Sequence, residues 1–169
     1  GYGRATSSGA FSIRTADSGA TGVSGSLSFT SGTTSKGSSG MITLRTGSAT
    51  LGAAGSVSVV VGSGTVSTGG RVAVNAGEST NRTGGAVSMI TGYGRATSSG
   101  AFSVRTADSG VNGTSGSLSF TSGTTSQGSS GMITLRTGSA TLGTAGSVSV
   151  VVGSGKSSTG GRVAVNAGE

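Results

Sequence analysis

Asp17, Glu78, Asp108 and Glu169 are the only acidic residues of a 169-residue chain that has neither histidine nor cysteine. Acid–base, nucleophilic or metal chemistry would have to run through them. All four stand at the eighth position after a glycine that opens an alternating apolar run, with Ser48 and Ser139 at the same position in between. On stacked strands Glu78 and Asp108 would lie about 5 Å apart, a spacing compatible with calcium or with the carboxylate pair of a retaining glycosidase. The plainer reading is an exposed acidic column offsetting arginines three positions earlier, as in Arg14 with Asp17 and Arg105 with Asp108. No substrate pocket is signalled around these residues, so the plainer reading is adopted and the chain is read as a non-enzyme with no metal and no cofactor.

The stretch GSGKSSTGG, residues 153–161, imitates the end of a phosphate-binding loop. That motif needs a glycine five places before Gly155, where Val150 stands, and a helix after it to offer its amino terminus to phosphate. The first copy reads GSGTVSTGG in the same place, without the lysine. The stretch is read as a glycine-rich corner.

What must position these residues is a repeat. Residues 1–78 match 92–169, so the chain divides into copy 1, residues 1–91 with six strand units, and a partial copy 2, residues 92–169 with five. The copies differ at Ile13/Val104, Ala20/Val111, Thr21/Asn112, Val23/Thr114, Lys36/Gln127, Ala53/Thr144, Thr65/Lys156 and Val66/Ser157. Within each copy a glycine opens every unit: Gly9, Gly25, Gly40, Gly55, Gly70 and Gly85, then Gly100, Gly116, Gly131, Gly146 and Gly161. The step is fifteen residues, sixteen after Gly9 and after Gly100.

Each unit begins with a short alternating run such as GSLSFTSG or GMITLRTG, which predicts a strand with one apolar side. The rest is glycine, serine and threonine, which predicts turns in which glycine takes positive φ. Position 2 after the glycine carries Phe11, Leu27, Ile42, Val57, Val72 and Val87; position 4 carries Ile13, Phe29, Leu44, Val59, Val74 and Met89. Position 6 holds the small residues Thr15, Ser31, Thr46, Val61, Ala76 and Thr91, suited to a narrowing corner. One such strand cannot bury its apolar side alone, whereas coils stacked about 4.8 Å apart would. The expected fold is all-β: a parallel β-solenoid, or β-helix, of fifteen-residue units, two units per turn, with two facing parallel sheets. The alternative is a triangular coil with one unit per turn.

Two units per turn would give two unlike faces. One carries Ser28, Ser58, Ser88, Ser119 and Ser149 with Val60, Ile90 and Val151, small enough for a second copy to approach, and is expected to be the assembly face. The other carries Arg14, Arg45, Arg71, Arg105, Arg136 and Arg162, an expected contact for an acidic polysaccharide or a mineral surface. Asn81-Arg82-Thr83 and Asn112-Gly113-Thr114 are acceptor triplets for N-glycosylation, both placed in corners.

Composition agrees with a built but unusual structure. There are 36 glycines, no proline and a formal charge of +7, which keeps the chain soluble and favours anionic partners. No run is long enough to span a membrane, and nucleic acid is not an expected partner. The chain starts with Gly1 in mid-phrase, lacks a leader and polar end caps, and reads as part of a longer tandem array.

Phrases such as GSVSVVVGSG and GGAVSMITG resemble the long glycine-, serine- and threonine-rich repetitive proteins of algal and protist cell surfaces. The resemblance covers the whole chain and implies an extracellular structural or adhesive role. The resulting expectation is a repeat module of a fibre, sheath or wall that self-associates end to end and laterally as a stiff rod. Two alternatives are an ice-binding protein using the Ser-x-Ser-x-Thr/Val/Ile face and a carbohydrate-binding adhesin.

Overall fold

Glycine, serine and threonine between the alternating runs bend the chain once in every unit. In the computed structural model, which describes residues 8–156 and 159–168, turns or bends fall at 20–21, 35–37, 50–52, 65–67, 80–82, 95–97, 111–112, 126–128, 141–143 and 156. The alternating runs between them are extended arms, such as residues 55–62, and the polar stretches form arcs, such as residues 63–69. The chain divides into two units, Gly1–Val87 and Ser88–Glu169.

Among the described residues there is no helix and no strand. The β-solenoid expectation, in its two-sheet form and in its triangular form, is therefore corrected. Sheets require neighbouring arms to exchange backbone hydrogen bonds along their length. Among the described residues backbone pairs form only at the arcs, and few residues distant in sequence approach one another. No apolar side chain is buried among the described residues, so the stacked core is corrected with the sheets. The exposed surface is 17212 Å² for a chain of 15.7 kDa. A folded domain of that mass exposes about 7,300 Å² and a fully extended chain about 22,800 Å². Most of the hydrophobic stabilisation open to a domain of this size is thus unrealised within the single chain.

The period of two nevertheless survives in the arms. Val57, Val72 and Val87 at position 2 keep 53%, 55% and 53% of their surface, whereas Val60 and Ile90 at position 5 keep 86% and 90%. Extended backbone sends successive side chains to opposite sides, and only one side of each arm is shaded by the chain's own bends. Phe11 and Val165, near the limits of the described chain, are as open as the position 5 residues.

Two kinds of backbone hydrogen bond close the arcs. Gly70 N donates to Gly62 O at 3.2 Å, Gly85 N to Gly77 O at 2.8 Å, Gly100 N to Gly92 O at 3.0 Å and Gly161 N to Gly153 O at 3.2 Å. In the sixteen-residue units, Gly22 N donates to Gly19 O at 3.3 Å and Gly113 N to Gly110 O at 3.1 Å, forming β-turns. The expectation that glycine turns these corners through positive φ is also corrected, because no described glycine has it. Glycine serves close approach instead. A Cβ on Gly64 would lie 2.7 Å from the carbonyl oxygen of Ser67.

Candidate interaction surface

A regular close approach recurs where each arm meets the arc that follows it. The glycine opening a unit sits against the position 6 residue of the unit before. A Cβ on Gly25 would stand 3.3 Å from Thr15, one on Gly55 3.2 Å from Thr46, and one on Gly146 3.4 Å from Thr137. Valine brings the chain closest, since a Cβ on Gly70 or on Gly161 would stand 2.5 Å from Cγ1 of Val61 or of Val152. Thr15, Thr46, Thr91, Thr106 and Thr137, all at position 6, are half-buried, while nearly every other described residue is exposed. By contrast the glycines ending the arms, Gly32, Gly47, Gly62 and Gly77, have open space beside them.

Side-chain hydrogen bonds serve the arcs as well. Ser18 Oγ donates to Gly22 O at 3.1 Å and Ser109 Oγ to Gly113 O at 3.0 Å, stapling the same turn in the two copies. Thr34 Oγ1 accepts from Gly37 N at 3.2 Å, and Ser79 Oγ accepts from Arg82 N at 3.1 Å. Sequence reasoning missed the two staples. Their only signal is a serine before each four-residue turn, in DSGATG and DSGVNG.

The residues singled out from sequence are distributed along the arms and arcs. Ser28, Ser58, Ser88, Ser119 and Ser149 lie exposed on their arms, beside the open Val60, Ile90 and Val151. None of them is joined to another by a hydrogen bond. Arg14, Arg45, Arg71, Arg105, Arg136 and Arg162 are exposed too. Arg14 reaches Asp17 at 3.9 Å, the one ion pair among the described residues, with both side chains largely in solvent. A pair so open contributes about 0–1 kcal/mol. Asn81 lies in a bend and Asn112 in the Gly110–Gly113 turn, both exposed.

Glu78 lies in the unit Gly1–Val87 and Asp108 in Ser88–Glu169. The strand stacking that would set them side by side is absent among the described residues. Glu169, and Ser157 and Ser158 of the lysine-bearing corner, fall outside the described residues. Neither unit holds a pocket among its described residues, and no group of three potential metal ligands is found there. No helix among the described residues is long and apolar enough to cross a membrane.

What the arms offer is a repeated surface rather than a site. Positions 2 and 4 present apolar side chains on one side of each arm, from Val104 at 48% exposed to Leu135 at 79% over most of the chain, and among the described residues none of them is buried. Comparison with protein-family models, with curated proteins and with solved structures finds no match.

Proposed function

We propose that the chain is a structural repeat module of an extracellular fibre, sheath or cell-surface layer, working in many copies joined end to end and side by side. One observation carries this reading: every arm presents the same apolar columns with about half or more of their surface open, unit after unit and copy after copy. Apolar surface repeated so regularly gains stability when neighbouring chains cover it. Stiffness in this reading belongs to the assembly rather than to one chain. The open arginines leave room for a second partner, an acidic polysaccharide or a mineral surface. The extracellular setting follows the resemblance to repetitive surface proteins and is part of the proposal. The reading includes no catalysis and no cofactor.

Electron microscopy of the native material tests it. Fibres or layers that bind an antibody to this repeat are expected, and compact monomers alone would overturn the reading.

A further inference from the structure

We infer that residues 55–62 and 146–153 nucleate assembly by pairing as β-strands between copies of the chain. The inference rests on the structural reading above and names the contact that begins it. Both segments read Gly-Ser-Val-Ser-Val-Val-Val-Gly. They are extended, and no backbone hydrogen bond forms within them, the nearest being those made by Gly62 and Gly153 at the arcs. Their remaining amides and carbonyls are free to pair with another strand.

Three features suit these arms to pairing, and the first sets them apart from the rest. First, four of their six central residues are valine, which suits a pleated strand best. Val57, Val59 and Val61 share one side, and Ser56, Ser58 and Val60 the other, so a sheet built from them has one apolar face and one face of small residues. Second, neither segment has a charge, whereas the arms on each side carry Arg45 and Arg71, or Arg136 and Arg162. Charges placed this way flank segments that would otherwise pair, which leaves the uncharged arms as the ones open to pairing. Third, the two segments are identical, so side chains match like on like whichever copy of the repeat meets the other.

A second copy of the chain is the occupant that fits. The chain exposes 17212 Å², against about 7,300 Å² for a folded domain of its mass. The difference is several times the roughly 1,600 Å² buried in a stable protein–protein interface.

The test uses the full chain, with Val59→Asp/Val150→Asp against the control Val74→Asp/Val165→Asp at the same arm position. Each valine is exposed, so neither variant opens a packed core. Light scattering follows assembly, and amide I infrared and fibre diffraction report on strands. The parent is expected to assemble after a concentration-dependent lag, with an amide I band of β-sheet and a reflection near 4.7–4.8 Å. The lag should lengthen about tenfold or more in Val59→Asp/Val150→Asp and change by less than about twofold in the control. Equal lags in the two variants would overturn this inference while leaving the structural reading in place. A β signal independent of concentration would overturn it in favour of pairing within one chain. If no concentration yields assembly, the inference and the structural reading fail together.

Discussion

Val61 and Gly70 meet so closely that a Cβ on the glycine would come within 2.5 Å of the valine Cγ1, while the Gly70 amide donates to Gly62 O at 3.2 Å. Val152 and Gly161 repeat the arrangement in the second copy. A methyl group at the opening glycine must therefore push the arc open. Gly70→Ala should abolish the nuclear Overhauser contact between the residue 61 methyls and residue 70, and Gly62→Ala, which has open space beside it, should keep it. Adding Val61→Ala to Gly70→Ala should bring the arc back, because the nearest remaining atom, the residue 61 Cβ, is 3.4 Å away. An arc that stays closed in Gly70→Ala would show that the contact does not hold it.

The serine staples should be measurable one at a time. Ser18→Ala or Ser109→Ala removes the bond to the carbonyl of Gly22 or Gly113 and leaves the turn's own backbone bond. The loss should be about 0.5–1 kcal/mol locally, seen as roughly two- to fivefold faster amide exchange at Gly22 or Gly113. No change in exchange would mean that the turn stands without its serine.

The Arg14–Asp17 pair should matter little. With both side chains largely solvated, Asp17→Asn should shift local amide exchange by less than about threefold, within about 0.5 kcal/mol. A larger effect would reveal a role for Asp17 beyond this pair.

Salt separates two kinds of association. The formal charge of +7 makes copies repel one another, so raising ionic strength from about 0.01 to 0.15 M, which shortens screening from about 30 to 8 Å, should speed self-assembly measured by light scattering. Retention on a sulfated polysaccharide column should weaken over the same range. Slower self-assembly in salt would point to charge pairing rather than apolar arms as the contact between copies.

Asn81 and Asn112 lie exposed in an arc bend and a β-turn. Secretion from a eukaryotic host is expected to add a glycan at each, and Asn81→Gln or Asn112→Gln should remove one glycan mass in intact mass spectrometry. An unmodified secreted chain would exclude both sites.

Where the chain bends and which side of an arm is more open were legible in the sequence; the conformation of its glycines and the long-range geometry were not. The glycine-, serine- and threonine-rich half of each unit marks where the chain bends, and apolar alternation marks which side of an arm is shaded, as the contrast between Val57 and Val60 shows. The small residues at position 6 foretell a tight corner, and Thr15 against Gly25 supplies one. Whether an arm finds a hydrogen-bonding neighbour depends on encounters between distant segments. Alternation in Leu27 and Phe29 reads the same whether their partner lies in this chain, in another copy, or nowhere. The role of glycine misled for a related reason: its abundance is compatible with positive φ or with close approach, and only the position of its neighbours tells them apart.

The bond from Gly70 N to Gly62 O has a mechanical consequence. Eight residues of chain, up to about 27 Å in contour, are gathered behind a single hydrogen bond, and the same holds at Gly85, Gly100 and Gly161. Tension along the chain would break each clasp separately, each releasing about 20 Å of slack while the arms on either side keep their length. A material woven from this repeat would lengthen in small, recoverable steps before load reached its covalent backbone.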